Sequence, residues 1–335
     1  MGEVGRRQFL IATGVALTAP LISQAQARRE GRSFRIGALF GAGGESMQRY
    51  LSAFSERLGV LGFVQGQNLH IDVSPAGPFI GANLARDVVP ALLEENPDAL
   101  FTCLTSIAVA AAQVTQSVPI VFAWVQDPVA AGLVKSFAHP GGNVTGVTNR
   151  FAELLVKRLE LARELVPELK RVALIGYGEA ADPMYEPSVQ PLRRAAAKFG
   201  VEVLEFVTRP WVELYEQAAD EGAGAVIPVG VFVPNGDRFS GELVIESMQK
   251  RHVPVIFAGV EMVEAGGLIS YGTNIIDDLR RGADLLAKVL RGVKPSDIPV
   301  DQAARFELTV NLKTAKASGI TIPRSILLRA DRVIE

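Results

Sequence analysis

The sequence predicts an α/β protein with two similar Rossmann-like lobes, each built on a parallel sheet and joined by a hinge of three strands. Apolar runs bounded by turn residues alternate with helical patterns after residue 33, which is typical of βαβ units. Similar segments recur in the two halves in the same order, which indicates an internal duplication. The length of 335 residues exceeds that of one ordinary core and favours two domains.

The N-terminus, residues 1–27, has the pattern of a twin-arginine signal peptide. Arg6 and Arg7 precede an apolar run that ends near Ile22, and small residues before position 28 offer a cleavage site after Ala27. The run is interrupted and shorter than the roughly 18 to 20 apolar residues of a membrane-spanning helix. We therefore expect export to the periplasm, removal of the signal, and no stable membrane insertion after processing.

Composition excludes several classes of protein. Hydrophobic residues make up 48% of the chain and charged residues 21%, as in a globular protein. The net charge of −2 provides no basic surface for nucleic acid. Cys103 is the single cysteine, so the chain forms no internal disulfide and lacks a Cys/His cluster for zinc. We expect a monomer stabilised by packing.

The first half of the chain reads as four strands separated by helical segments. Predicted strands cover 35–40, 68–73, 99–103 and 118–125. Each is a short apolar run, and Trp124 is the penultimate residue of the last one. The order of strands and helices predicts a parallel sheet with ligands at the carboxyl ends of its strands.

The second half repeats this pattern, with predicted strands at 171–176, 201–207, 225–229 and 253–260. Val118 and Val253 begin eight-residue segments that agree at five positions, 135 residues apart (253 minus 118). A duplicated α/β unit explains this spacing.

Each half then ends in a Gly-Gly pair followed by an extended segment. The segment 141–148 reads GGNVTGVT, and 266–273 reads GGLISYGT. Glycine pairs allow the sharp turn that a crossover between sheets requires. An amphipathic helix over 152–166 would open the second lobe, and a helix over 277–291 would return to the first. We expect lobes at 33–146 with 274–304 and at 149–268 with 306–335, and crossings near 144–149, 268–273 and 304–309.

Seven stretches of the sequence carry a resemblance to a known family: 61–68, 127–129, 140–146, 157–161, 264–272, 306–315 and 328–335. Taken in order, they resemble the periplasmic substrate-binding proteins of ABC transporters, in the branch with tryptophan- and tyrosine-binding members. The resemblance implies a type I periplasmic binding protein fold, capture of a small molecule between the lobes, delivery to an inner-membrane ABC permease, and no catalysis. The segment 177–183, YGEAADP, departs from the family's Asn-Pro-rich turn, so the ligand itself is not fixed.

Candidate ligand-binding residues follow the carboxyl ends of the predicted strands or lie on the crossings. These positions face the space between two lobes joined by a hinge, where closure would bring them together. We expect an amino acid or a small aromatic or carboxylate solute there. The candidates are Phe40, Gly41, Thr105, Ser106, Trp124, Asp127, Thr148, Asn149, Tyr177, Glu179, Phe232, Glu261 and Tyr271.

Aromatic candidates could form the walls of the site. Trp124 follows a buried strand, where an indole can stack on a ring or cover a solute; packing between domains is the alternative. Tyr177 and Tyr271 could add walls or belong to the core or hinge.

Polar candidates could bind the charged groups of a ligand. Asp127 could hold an ammonium group, although an aspartate before Pro128 also caps an ordinary turn. Thr105 and Ser106 open a helix, where hydroxyl and N–H groups either bind a carboxylate or cap the helix.

Neither a cofactor nor a catalytic site is expected. The segment 40–44 resembles the start of a dinucleotide motif, but Ser46 replaces its third glycine. His70, His139 and His252 are widely spaced and adjoin no nucleophile motif. A periplasmic sensory module uses the same two-lobed design and remains an alternative function, and an exported enzyme is a more distant one.

Overall fold

The computed structural model describes residues 32–41, 44–75, 84–176, 185–206, 211–229, 246–247 and 250–335. The predicted signal peptide lies outside this part of the chain. Within it, strands and helices alternate as the sequence predicts, and the strands form two separate sheet layers. No helix of these residues has the length and apolar character needed to cross a bilayer.

Six of the described strands form the first sheet, and every ladder in it is parallel. Their order is β11-β5-β4-β3-β1-β2. Buried Val, Ile, Leu and Phe side chains dominate the central strands, as expected for a sheet covered on both faces. The strands are β1 (Phe34–Phe40), β2 (Leu69–Pro75), β3 (Ala99–Cys103), β4 (Ile120–Val125), β5 (Val144–Thr148) and β11 (Asp301–Gln302).

Helices from two distant parts of the chain pack on this sheet. Three of these helices precede β4 in the sequence. The fourth, α8 (Ile275–Leu290), comes from the far end of the sequence and packs against β3, β4 and β5. Buried residues of α8 such as Leu279, Ala283 and Leu286 recur at helical spacing and form its apolar face. The helices are α1 (Gly44–Val60), α2 (Val89–Glu94, after a π-helical turn at Leu84–Val88), α3 (Thr105–Val114) and α8 (Ile275–Leu290).

The second sheet combines two ladders. Strands in the order β7-β6-β8 are parallel, and the bridge between Val226 and Val255 joins them to a group in the order β9-β10-β12-β13. Strand β10 leaves for the first lobe and β12 returns from it, so these neighbours are antiparallel. The strands are β6 (Arg171–Gly176), β7 (Glu202–Phe206), β8 (Ala225–Val229), β9 (Ile256–Phe257), β10 (Ile269–Thr273), β12 (Phe306–Asn311) and β13 (Arg332–Ile334).

The helices of the second layer enclose a core of their own. Leu155, Leu159 and Ala162 of α4 are fully buried against this sheet. Each fully buried aliphatic side chain of this kind stabilises the fold by about 1.5–3 kcal/mol. The helices are α4 (Phe151–Leu165), α5 (Tyr185–Phe199), α6 (Trp211–Asp220), α7 (Val260–Glu264), α9 (Leu312–Ala317) and α10 (Arg324–Arg329).

The chain passes between the two layers at three places in the described residues. It leaves β5 of the first sheet at Thr148 and begins α4 at Phe151. It returns at Asn274, whose side chain accepts hydrogen bonds from the backbone N–H groups of Ile276 and Asp277 and so caps α8. The third passage joins β11 to β12. The predicted lobe boundaries and hinge crossings stay predictions.

Candidate functional site

The carboxyl ends of the first sheet carry strained backbone. Leu104 after β3, Trp124 in β4 and Arg150 after β5 have positive φ angles of 98°, 57° and 53°. Such angles cost a residue other than glycine on the order of 1 kcal/mol or more and concentrate at ligand-binding sites. Asn96 and His252 are the other described residues of this kind. We call the carboxyl ends of β1, β3, β4 and β5 the first carboxyl edge.

Trp124 links this edge to the second crossing. The register of β4 against β5 shifts between Phe122 and Val125, and such an irregularity re-aims the side chain between them. The Trp124 indole is half-buried, and its Nε1 donates a hydrogen bond to Oγ1 of Thr273 at 3.2 Å. Because Thr273 ends β10, the indole lies beside the second crossing, and contact with a ligand stays a prediction.

Gln126 ties three elements together just after β4. Its N–H donates to Oγ1 of Thr105 at 3.1 Å, and its carbonyl accepts from Oγ1 of Thr148 at 2.9 Å. Its side-chain Oε1 accepts a hydrogen bond from Oγ of Ser188 on α5 at 3.0 Å. The hydroxyls of Thr105 and Thr148 therefore shape the loop, and Gln126 joins the first carboxyl edge to the second lobe. Sequence reasoning missed Gln126.

Asp127 caps a turn, which is one of the two roles that the sequence predicts for it. Its Oδ1 accepts hydrogen bonds from the backbone N–H groups of Val129 and Ala130, both at 3.0 Å. These bonds fix the turn that begins at Pro128. A contact between Asp127 and a ligand ammonium group stays a prediction.

The candidates nearest β1 and α3 occupy different environments. Phe40 is fully buried, and its ring lies 6.1 Å from that of Phe54 and 5.8 Å from that of Phe101, so it belongs to the core. Gly41 packs so closely on Leu104 that an added Cβ would lie 1.9 Å from Leu104 Cδ1. Ser106 is exposed in the first turn of α3. Of these residues, Ser106 has the side chain that is free to meet a solute.

Asn149 and Tyr271 lie on the crossings. Asn149 is 4% exposed, its N–H donates to the Val125 carbonyl at 3.0 Å, and its Oδ1 has no hydrogen-bond partner. Tyr271 is half-buried with its ring 6.2 Å from that of Phe306, so it pairs two hinge strands. The buried amide oxygen of Asn149 is an unused acceptor.

Glu261 takes part in an ion pair between the lobes. Arg49 on α1 approaches Glu261 at 3.3 Å and Glu264 at 3.7 Å, both on α7. The Glu261 side chain is 16% exposed, and burial raises the pKa of its carboxyl above the ordinary range. We call Arg49, Glu261 and Glu264 the interlobe ion pair, because it joins a first-lobe helix to a second-lobe helix.

Replacing Arg49 by alanine is expected to shift the protein toward open conformations, because it removes the attraction of the interlobe ion pair. Exposed pairs contribute about 0.2–1 kcal/mol, so ligand affinity should fall by no more than about fivefold. Small-angle scattering without ligand should show a larger radius of gyration. Arg57→Ala is the matched control, since Arg57 pairs with Asp284 inside the first lobe. An equal response of both variants would contradict a role in closure.

Tyr177, Glu179 and Phe232 lie outside the described residues. They follow β6 and β8 in the sequence and stay predictions. Cys103 lies at the end of β3, 2% exposed, and burial raises the pKa of its thiol above the ordinary range, which keeps it protonated. The described residues contain no group of three side chains suited to hold a metal ion.

Comparison with known proteins assigns the chain to a family. A model of the family described as "ABC transporter substrate binding protein" matches residues 41–334. The chain belongs to this family. Such substrate-binding proteins bind small-molecule ligands and ABC permeases and are typically exported to the periplasm. The predicted family is therefore confirmed.

Individual relatives of this substrate-binding protein agree with the assignment. A tyrosine-binding protein of Clostridioides difficile (strain R20291) is 28% identical over 272 residues, covering 81% of this chain and 77% of the relative. A conserved domain protein from Vibrio cholerae has 25% identity and a TM-score of 0.80, over 90% of this chain and all of its own. An ABC domain from Streptococcus pneumonia in complex with L-Trp has 27% identity and a TM-score of 0.77, with the same coverage. The predicted type I periplasmic binding protein fold is confirmed.

Proposed function

We propose that this protein is an exported receptor of an ABC importer that closes on an amino acid or a small aromatic or carboxylate solute. The observation that carries the proposal is the first carboxyl edge. There, strained residues after β3, in β4 and after β5 adjoin the second lobe through the Trp124–Thr273 and Gln126–Ser188 hydrogen bonds. A site of this kind changes shape when the lobes separate. Ligand binding would therefore change the conformation of the protein that a permease recognises.

The ligand class follows from the relatives and from the side chains at this edge. One relative is a tyrosine-binding protein, and the Streptococcus pneumonia structure holds L-Trp. Trp124 offers a ring surface, and Ser106 and Asn149 offer polar groups that no described residue uses. An aromatic amino acid matches both kinds of group.

Closure is the step that converts binding into delivery. The predicted lobes would move about the crossings near 144–149, 268–273 and 304–309, and ligand would stabilise the closed state by binding it better than the open one. The interlobe ion pair contributes to the closed state without ligand. The closed monomer would then dock on an inner-membrane permease, and no catalytic step is required.

Thermal unfolding against a panel of aromatic and branched amino acids and small aromatic acids tests the ligand class. A ligand at about 100 times its Kd should raise the free energy of unfolding by about 2.7 kcal/mol. Stabilisation by at least one member of the panel is the expected result. If none stabilises the protein, this ligand class is wrong.

Replacing Trp124 by phenylalanine is expected to abolish the change in intrinsic fluorescence that ligand produces, because the Trp124 indole lies at the first carboxyl edge. The chain has two tryptophans. Trp211 begins α6 in the second layer, so Trp211→Phe is the matched control and should keep the signal. A signal that survives in the Trp124 variant and disappears in the control would contradict the placement of the ligand.

A further inference from the structure

Arg158 on α4 is a buried cation without an anionic partner among the residues that the structure describes. It is 1% exposed, and none of the described carboxylates forms an ion pair with it. Its Nε donates to the Tyr271 carbonyl at 2.8 Å, its guanidinium lies 5.2 Å from the Phe151 ring centre, and its Nη1 has no hydrogen-bond partner. Burial lowers the pKa of Arg158 to about 9, which still leaves it charged at neutral pH.

The guanidinium lies at the carboxyl ends of the second sheet. Helical side chains point toward the N-terminus of their helix, and Arg158 reaches back to Phe151, the first residue of α4. A Cβ added to Gly272 of β10 would lie 3.6 Å from Arg158 Nη2 and 1.8 Å from the carbonyl oxygen of Ala258, which follows β9. The cation therefore lies where β9 and β10 end, the side of a parallel sheet on which ligands bind.

A purely structural role does not account for this side chain. A neutral amide could donate to the Tyr271 carbonyl equally well, whereas an unpaired buried charge costs several kcal/mol. A guanidinium has five N–H donors in a planar fork that matches a carboxylate. The chemistry of this guanidinium therefore favours an anion as its partner.

The unused acceptor on Asn149 lies nearby in the chain. Asn149 is two residues before Phe151, the ring beneath the guanidinium, and its Oδ1 is buried without a partner. An unused donor on Arg158 and an unused acceptor on Asn149 match a molecule that carries both a carboxylate and a hydrogen-bond donor such as an ammonium group.

We propose that Arg158 binds the carboxylate of the ligand and determines specificity for acids over the corresponding amines. This inference rests on the proposed function and adds a ligand contact from the second lobe to those proposed at the first carboxyl edge. Closure would then pair the buried cation and remove the energetic cost of leaving it unpaired, which links recognition of the carboxylate to the closed state.

Matched acids and amines test the contact directly. Calorimetry would compare L-tyrosine with tyramine and L-tryptophan with tryptamine on the full chain. The wild type should prefer the acid by on the order of 100-fold, the loss typical of removing one partner of a buried charge pair. Arg158→Gln, which keeps a donor for the Tyr271 carbonyl, and Arg158→Met should lose most of this preference. Retention of the preference in both variants overturns the proposal.

Arg163→Met is the matched control, because Arg163 is an exposed arginine on the same helix. It should keep the full preference for the acids. Equal loss in the Arg163 and Arg158 variants would indicate a general charge effect and would also overturn the proposal.

A second measurement does not depend on the choice of amino acid. Urea unfolding in sodium acetate and in sodium chloride at equal ionic strength should show a larger rise of the midpoint in acetate for the wild type and Arg163→Met than for the Arg158 variants, which keep only the general effect of the salt. If the four compounds fail to bind while this acetate response follows Arg158, the anion contact stands and the proposed ligand class fails. If the acids bind independently of Arg158, the receptor function stands and the contact is refuted.

Discussion

Replacing Gly272 by alanine is expected to destabilise the protein by about 3 kcal/mol, near the upper end of typical overpacking effects. A Cβ at this position would lie 1.8 Å from the carbonyl oxygen and 3.0 Å from the carbonyl carbon of Ala258. Both are backbone atoms, so the clash cannot be relieved by rotating a side chain. Strand β10 would have to separate from the end of β9, which displaces the Tyr271 carbonyl and its hydrogen bond from Arg158.

Urea unfolding measures this effect. Gly59→Ala is the matched control, because Gly59 is in α1 and nothing lies within 4 Å of an added Cβ there. The control should stabilise the protein by up to about 1 kcal/mol through its higher helix propensity. If the two glycine-to-alanine substitutions change the free energy of unfolding in opposite directions, the close packing of β10 causes the loss of stability in the Gly272 variant. A Gly272 variant as stable as the wild type would contradict the packing at this crossing.

The sequence predicted the strands well where apolar runs are bounded by turns. The strands at 99–103, 144–148 and 225–229 have the predicted bounds, and the helix predicted at 152–166 is α4 at Phe151–Leu165. The repeat was less reliable for the strand predicted at 253–260. There β9 covers Ile256–Phe257 and α7 begins at Val260, because β9 pairs with β8 through a single bridge.

Strand direction at the third crossing also required the structure. Phe306 begins an extended segment in the sequence, but only the path of the chain makes β12 antiparallel to β10. A strand that returns from the first lobe beside one that leaves for it must run in the opposite direction. Local sequence patterns carry no information about this pairing.

The sequence predicted where candidate residues lie in the fold, but it did not predict their side-chain contacts. Candidates after the strand ends included Trp124 and Glu261, and candidates on the crossings included Asn149; Trp124 bonds to Thr273, Glu261 pairs with Arg49, and ligand binding by all three stays a prediction. Sequence reasoning missed Arg158, whose hydrogen-bond partner Tyr271 is 113 positions away in the chain. Arg49 was missed for the same reason, because it is separated from Glu261 by 212 positions. Ion pairs and unpaired charges depend on tertiary packing, which periodicity does not encode.

Replacing Asp278 by asparagine is expected to increase stability at pH 8 by about 4 kcal/mol. Asp278 lies on α8, is 2% exposed and has no partner for Oδ2. Burial raises the pKa of Asp278 to about 7, and Asp277 and Asp301 add to the shift, whereas Thr273 and Arg281 oppose it. An unfolded aspartate has a pKa of about 3.9, so the difference of about 3 units corresponds to about 4 kcal/mol.

The direction of the pH dependence follows from proton uptake. Between pH of about 4 and 7 the folded protein keeps the proton on Asp278, whereas the unfolded chain has released it. Raising the pH through this range therefore favours unfolding, and the wild type should lose stability steadily up to pH of about 7. Asparagine has the shape of the protonated acid and stays neutral, so the variant should lack this slope.

Urea unfolding from pH 4 to pH 8.5 checks the prediction, with Asp277→Asn as the matched control. Asp277 is half-buried and pairs with Arg280 at 3.5 Å, and its charge contributes less than burial to the pKa of Asp278, so its variant should keep most of the wild-type slope. An unchanged slope in the Asp278 variant would show that the carboxyl is solvated in the folded state. Because Thr273 joins Asp278 to the Trp124 indole, and asparagine still offers Thr273 an acceptor, ligand affinity should survive the substitution. The Asp278→Asn substitution should thus change the free energy of unfolding without changing ligand affinity.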